Sequence, residues 1–323
     1  MKAIVYHRYG PPDVLQLEER PKPAPRDNEV LIQVVAAAVN PLDWHFIRGS
    51  PYGFRIATGL RKPKDSRLGM DVAGSVEAVG RDVTGLKVGD AVFGACRGAL
   101  AEYVCSAQAT LARKPENITF EEAGSVAVAA FTALQGLRDN GRLQSGQRVL
   151  INGAAGGVGT FAVQIGRWLG AEVTGVCSTR NVELVRSLGA HHVIDYTGQD
   201  FTGDAQRYDL IFDCIGNHPL LACRRVLTRR GIYLMVGAPS GRWVAPMDRA
   251  MEAMMLSWFV SQKMTSIMAK FSKDGLNLIA ELLKSGKVTP VIDRCYSLRE
   301  VPEAIRYLET GHARGKVVIV VAA

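Results

Sequence analysis

Val149-Leu150-Ile151-Asn152-Gly153-Ala154-Ala155-Gly156-Gly157-Val158-Gly159 is the stretch that decides the fold. A short apolar run enters a glycine cluster, and residues 158–169 then follow with the spacing of a buried helix. An apolar run of this length, closed by glycine, reads as a strand covered on both faces. Aligned to the pattern G-x-G-x-x-G, the three key positions are Ala154, Gly156 and Gly159, with Ala in the first place. In a strand–turn–helix unit the second of these lets backbone approach a pyrophosphate. The third lets helix pack on strand, and the helix N-terminus presents free N–H groups and the positive end of its dipole. A tight turn without a ligand is the competing reading. The pattern predicts a dinucleotide site along Gly153, Ala154, Ala155, Gly156, Gly157, Val158 and Gly159.

The chain on either side fits that unit. Strands are expected at 148–152, 172–177, 192–194, 210–214 and 232–236, and helices at 158–169 and 182–188. This alternation predicts an α/β fold with a doubly wound parallel sheet. The first 120 residues instead read as short strands, such as 30–35 and 91–94, broken by Gly10-Pro11-Pro12 and the prolines from Pro21 to Pro25. Residues 121–137 have the helical spacing of small apolar side chains. Residues 316–321 form a strand with no helix after it, expected to return to the N-terminal β region. The expected division is therefore 1–122 with 287–323 as a β-rich domain, and 123–286 as the dinucleotide domain.

Composition bounds the function. The chain has 323 residues, 47% of them apolar and 22% charged, enough for a real core. Lys and Arg number 39 against 31 Asp and Glu, a formal charge of +8. That suits an anionic ligand but is too diffuse to mark a nucleic-acid binder, and no nucleic acid is expected. No apolar window is long enough for a transmembrane helix. The opening MKAIVYHRYG reads as a strand and not as a secretion signal. The six cysteines are scattered and form no C-x-x-C, so a reducing cytoplasm is the expected location.

The tip of the second strand selects the dinucleotide. An NAD site usually carries Asp or Glu there, on the ribose 2′-OH. Here it reads Val176-Cys177-Ser178-Thr179-Arg180. Two hydroxyls and a guanidinium suit a 2′-phosphate, so NADP(H) is expected over NAD(H). Gly175 is expected to leave room beside the adenosine. Tyr196, after the third strand, either packs on or bonds the same end.

Further stretches carry a resemblance: Ala38-Val39-Asn40-Pro41-Leu42-Asp43, Gly69-Met70-Asp71-Val72-Ala73-Gly74, Val88-Gly89-Asp90-Ala91-Val92-Phe93-Gly94, Ala129-Ala130-Phe131-Thr132-Ala133, Leu188-Gly189-Ala190 and Gly315-Lys316-Val317-Val318. With the glycine turn they make the whole chain resemble the medium-chain dehydrogenase/reductase superfamily, in its zinc-free quinone oxidoreductase, zeta-crystallin-like branch. The resemblance implies a GroES-like catalytic domain, a Rossmann domain, a substrate cleft between them and a homodimer. It implies further cofactor contacts at Thr132, Cys214, Ile215, Val236, Gly237 and Lys316. Where zinc members of the superfamily hold their catalytic ion, this chain is expected to place Asn40, Met70 and Val128, with Asp71 in the place of a glutamate. An amide, a thioether and an isopropyl group do not make a zinc site. Cys96 and Cys105 are expected to be packing residues.

Without a metal, the acceptor must take hydride readily. A quinone or an α,β-unsaturated carbonyl does so, by spreading charge onto oxygen. Asn40 is expected to donate its amide to that oxygen, or else to cap the loop before Pro41. Tyr52, matching a site tyrosine of the family, offers a hydroxyl. His45 is expected as a proton donor or as a structural histidine, and Asp43 to hold the loop or orient a partner. An enoyl-thioester reductase, and a non-catalytic NADPH-binding protein associated with membrane or RNA, are the rival functions. Residues 53–65 hold Arg55, Arg61, Lys62 and Lys64. They are expected to cover a cleft, steer anions, touch an acidic lipid surface or simply be a solvated loop. Six methionines between Met247 and Met268, with Trp258 and Phe259, read as a roomy substrate pocket, a dimer seam or plain core.

Overall fold

A computed structural model of the chain describes residues 1–237, 261–267 and 269–321. The methionine-rich stretch with Trp258 and Phe259 falls outside them, except for Met264, which is buried. The chain divides into two compact units. One comprises Met1–Phe131 with Lys270–Ala323, the other Thr132–Ala269. Residues 123–131 and 270–286, expected in the dinucleotide domain, pack with the first unit. The helix Lys273–Lys284 explains part of this, because it buries Leu276, Ile279, Leu282 and Leu283 on one face. In addition, Phe131 packs against Phe271 with the rings tilted by 45° and their centres 5.0 Å apart.

The second unit is built on a six-stranded sheet. Its strands are β8 (Arg148–Asn152), β9 (Glu172–Cys177), β10 (His192–Asp195), β11 (Tyr208–Asp213), β12 (Leu227–Met235) and β13 (Lys263–Ser266), in the order β10-β9-β8-β11-β12-β13. Every pairing is parallel. Renumbered from β8, this is the 3-2-1-4-5-6 order of a doubly wound Rossmann sheet, whose direction of winding reverses between β8 and β11. Val149, Leu150 and Ile151 are fully buried, as a strand covered on both faces requires.

The first unit holds β1 (Lys2–Tyr6) paired with β2 (Leu15–Glu19), and a larger sheet. The larger sheet contains β3 (Glu29–Val39), β4 (Asp71–Val79), β5 (Ala91–Ala95), β6 (Tyr103–Ala107), β7 (Leu111–Arg113), β14 (Ile292–Ser297) and β15 (Lys316–Val320). β15 is the expected returning strand. It pairs antiparallel with β3 in the register Val317↔Val39, joining the two ends of the chain in one sheet. The expected continuous helix at 121–137 is interrupted. Phe120–Gly124 and Ala127–Leu134 are separate helices, followed by a π-helical turn, Gln135–Asn140. The break leaves the Val128 N–H within the first turn of the second helix, where it donates to Asp71 Oδ1 at 2.6 Å.

Candidate functional site

In the second unit the carboxyl ends of the parallel strands are tied to one another. Gly153 and Ala154 donate their N–H groups to Val176 O at 3.2 and 3.0 Å, and Tyr196 N donates to Cys177 O at 3.0 Å. Cys214 N donates to Asn152 O at 3.0 Å, while Val236 N and Gly237 N both donate to Asp213 O. Of the expected dinucleotide residues, Gly153, Ala154, Tyr196, Cys214, Val236 and Gly237 thus sit at the carboxyl edge of this sheet, where such folds bind ligands.

The glycine turn shows why each small residue is required. Gly153 has φ +83°, a left-handed conformation that favours glycine. A Cβ on Gly159 would meet Gly153 O at 2.1 Å and Ala154 Cα at 2.8 Å, so the helix touches the turn that leaves β8 backbone to backbone. A Cβ on Gly156 would meet only Gly153 O, at 3.4 Å, and would otherwise stand in open space. Gly156 is also the N-cap of the helix Gly157–Trp168 and supplies no side-chain cap. The first N–H groups of that helix therefore suit an anion, and the turn fits a pyrophosphate. Gly175 works differently from its expected role. A Cβ there would strike Val185 Cγ1 at 2.5 Å and Ala154 Cβ at 3.0 Å, so it makes room for protein packing.

Asp213 and Asp195 add two carboxylates that the sequence reading did not single out. Asp213, at the tip of β11, is fully buried. It accepts from Asn152 Nδ2 at 2.9 Å, Ile215 N at 3.0 Å, Gly216 N at 2.8 Å and the Tyr233 hydroxyl at 2.7 Å. It thereby fixes the Cys214-Ile215 lip, and Ile215 packs over Gly153. Asp195 lies opposite Cys177 in register, one strand from the Ser178-Thr179-Arg180 tip. It accepts from Thr197 N at 3.0 Å and the Thr197 hydroxyl at 2.8 Å. A hydrogen bond from the Thr179 side chain, and then these two, hold its carboxyl below the usual range. Thr179, Arg180 and Tyr196 are exposed around it, Ser178 is half-buried, and Thr179 Oγ1 lies 2.9 Å from Thr197 Oγ1. Thr132 is half-buried in its helix.

In the first unit, Asn40, Asp43, Asp71 and Lys316 converge from β3, β4, β15 and the helix Pro41–Arg48. All are buried, Lys316 to 3% and Asp71 to 0% exposure. Lys316 Nζ donates to Asn40 Oδ1 at 2.6 Å and to Asp71 Oδ2 at 2.9 Å. Asn40 Nδ2 donates to Asp71 Oδ2 at 3.0 Å. Asp43 accepts from Asn40 N at 2.7 Å and Gly69 N at 3.1 Å, so it holds the loop. Burial pushes its carboxyl up to about 6 despite those two bonds.

These contacts favour the structural alternatives expected for Asn40 and His45, and draw Lys316 into the cluster. Both ends of the Asn40 amide are engaged inside the cluster, not turned toward a bound oxyanion. Lys316, expected at the cofactor, spends two of its three N–H groups on Asn40 and Asp71. His45 Nδ1 lies 2.8 Å from Ser50 O, a carbonyl that only accepts, so this nitrogen carries the proton. Burial pulls the imidazole below its ordinary pKa. At neutral pH its Nε2 is consequently an acceptor, and the Nδ1 contact fits the structural alternative of the two expected for this histidine. Tyr52 is exposed, with the Arg55 guanidinium 4.6 Å from its ring centre.

The cluster does not fit a zinc ion. An ammonium already occupies Asp71 and the Asn40 carbonyl, and Val128 offers a backbone N–H to Asp71 in place of a ligand atom. Among the described residues, no group of three His, Cys, Asp or Glu side chains is placed to hold a metal. Burial raises the Cys96 thiol to about 12 and Cys105 to about 11, and Cys96 packs in the core of this unit.

The geometry agrees with comparisons to known proteins. The family description "Alcohol dehydrogenase GroES-like domain" matches residues 26–116, and "Zinc-binding dehydrogenase" matches 188–319. A tomato (Solanum lycopersicum) protein named 2-methylene-furan-3-one reductase is 36% identical, over 99% of this chain and 79% of its own. An Arabidopsis thaliana protein named NADPH-dependent alkenal/one oxidoreductase, chloroplastic, is 35% identical over the same shares. The solved structure of a quinone oxidoreductase from Coxiella burnetii superposes with a TM-score of 0.88 at 31% identity, covering 100% of this chain and 99% of that one. The chain belongs to the medium-chain dehydrogenase/reductase superfamily, within its quinone and enone oxidoreductase branch.

Proposed function

We propose that the chain is an NADPH-dependent oxidoreductase that reduces quinones or the C=C bond of α,β-unsaturated carbonyls without a metal. The observation that carries this is the uncapped glycine turn at the reversal point of a doubly wound sheet, with Arg180 at the adjacent strand tip. The names of the relatives support it: two are reductases of enone-type compounds and one is a quinone oxidoreductase.

When bound, NADPH supplies hydride. Gly157 and Val158 would offer backbone N–H groups to its pyrophosphate, while the Gly156 N–H closes the turn on Gly153 O. Ser178, Thr179 and Arg180 would hold the 2′-phosphate, and Tyr196 would meet the adenosine end. Thr132, Cys214, Ile215, Val236 and Gly237 border the rest of the dinucleotide. The reduced acceptor then carries an enolate or quinol oxygen, which needs one proton and hydrogen-bond donors. Tyr52 supplies the hydroxyl for that oxygen, and neutral His45 accepts a proton at Nε2 to relay it. Lys316, Asp71 and Asn40 hold the Pro41–Arg48 helix in place and act as positioning residues.

We further propose a cytoplasmic homodimer, whose subunit number light scattering tests directly. No helix among the described residues is long and apolar enough to cross a membrane. The function is tested by NADPH consumption with a naphthoquinone, an alkyl vinyl ketone and a crotonyl thioester. Turnover of either of the first two supports the assignment. Turnover of the thioester alone would move it to enoyl reductases, and tight NADPH binding without turnover of any would make the protein non-catalytic.

A further inference from the structure

Ile56 and Leu60 are the most exposed large apolar side chains among the described residues, at 74% and 71%. They belong to one short segment, Arg55-Ile56-Ala57-Thr58-Gly59-Leu60-Arg61-Lys62-Pro63-Lys64, which contains no acidic residue. Arg61, Lys62 and Lys64 are exposed beside them. The next acid along the chain, Asp65, is already paired with Arg67 and Arg97, so it does not offset the three cations.

The segment is anchored at its base. The Tyr9 hydroxyl donates to Gly59 O at 2.7 Å and lies 3.0 Å from Thr58 Oγ1. Arg55 donates from Nε to Gly49 O at 2.8 Å, and its guanidinium lies 4.4 Å from the Tyr9 ring centre. Lys64 N donates to Thr58 O at 2.8 Å, closing the turn back on itself. Gly59 makes that turn possible: its φ is +124°, and a Cβ would meet Lys62 O at 2.1 Å. A segment held in this way has little freedom left to lose on binding. Its two aliphatic side chains remain in water nonetheless, where the hydrophobic effect works against them.

We propose that residues 55–64 form an interfacial tip, which seats Ile56 and Leu60 among the acyl chains of an anionic bilayer and places Arg61, Lys62 and Lys64 against the lipid phosphates. Aliphatic side chains rimmed by unopposed cations are the composition of membrane-surface anchors. A protein partner needs a broad complementary face, whereas this tip offers two protruding side chains. The chain's net charge of +8 acts in the same direction. The proposal concerns attachment to a membrane surface and is independent of the hydride-transfer reading.

The test is co-sedimentation of the full chain with vesicles of pure phosphatidylcholine and of phosphatidylcholine with phosphatidylserine. Wild type should pellet with the anionic vesicles at low salt, be released at high salt and bind the neutral vesicles much less. Ile56→Ser/Leu60→Ser should weaken partitioning by roughly tenfold or more. Arg61→Gln/Lys62→Gln/Lys64→Gln should weaken it by roughly a hundredfold at low salt. Both variants should keep wild-type melting and NADPH affinity, which separates loss of binding from loss of fold. Wild type left in the supernatant with anionic vesicles, or variants that pellet like wild type, would overturn the proposal. So would Ile56→Ser/Leu60→Ser raising the acceptor KM, or abolishing self-association, with vesicle binding unchanged. Those results would make the segment a lid or a subunit contact.

Discussion

Two alanine substitutions three residues apart should have opposite signatures. At Gly159 an added Cβ meets Gly153 O at 2.1 Å, and ordinary contact begins near 3.4 Å, so about 1.3 Å must be found. The neighbours are backbone, and residues 159–166 of the helix are all buried, so it cannot slide away cheaply. Overpacking of this kind costs roughly 2–3 kcal/mol, and the melting temperature should fall by several degrees. At Gly156 the same methyl has 3.4 Å of clearance and should leave melting within about a degree of wild type. It would, however, stand over the N–H groups proposed for the pyrophosphate. Losing one or two charge-assisted hydrogen bonds there, each about 1.5–3 kcal/mol, predicts NADPH binding weaker by about tenfold to about ten-thousandfold. Scanning calorimetry of the apo-protein and fluorescence titration with NADPH read the two effects separately. Gly156→Ala with wild-type NADPH affinity would refute the placement of the pyrophosphate, and unchanged melting in Gly159→Ala would refute the packing argument.

Three further outcomes follow from the same contacts. Arg180→Ala should weaken NADPH by about tenfold or more and NADH little; equal NADPH and NADH affinities in wild type would refute the 2′-phosphate assignment. Lys316→Met should destabilise the fold by about 3–5 kcal/mol, because Asp71 is left buried without its cation, and adding Asp71→Asn should restore part of that loss in denaturant titrations. Asp43 titrates near 6 in the folded chain against an ordinary 3.8, so the native state holds the proton longer than the unfolded state. Its contribution therefore falls as pH rises from about 4 to about 6, and the stability of Asp43→Asn relative to wild type should rise across that window. A flat difference would contradict the burial argument.

Much of the fold could be read locally. A buried strand has to be apolar on both faces, and Val149-Leu150-Ile151 is. A helix that touches the turn leaving a strand backbone to backbone has to carry glycine, and Gly159 does. The run at 316–321, with no helix after it, had only the β-rich region to join, and it pairs with β3 as that reasoning requires. The buried cluster was harder to see. Its members come from positions 40, 43, 71 and 316, and only the sheet brings them together. Nothing in Gly315-Lys316-Val317 shows that the ammonium faces Asp71. The same holds for Asp195, which reaches the β9 tip from the neighbouring strand, and for the helix break at 125–126, where backbone is diverted to Asp71. Asp213 had a local signal, an acid closing the apolar run Leu210-Ile211-Phe212 before Gly216. A carboxylate in that place, with a turn after it, is a ready acceptor for the turn's N–H groups.

Hydride should pass directly from NADPH to an electron-poor acceptor, without a metal. The most direct test uses chelator-treated protein, NADPH deuterated at the transferring position and an alkyl vinyl ketone, with the product read by mass spectrometry and NMR. The product should carry one deuterium at the β-carbon, and the rate should be unaffected by the chelator. Product without deuterium, or a rate restored only by adding zinc, would contradict direct transfer without a metal.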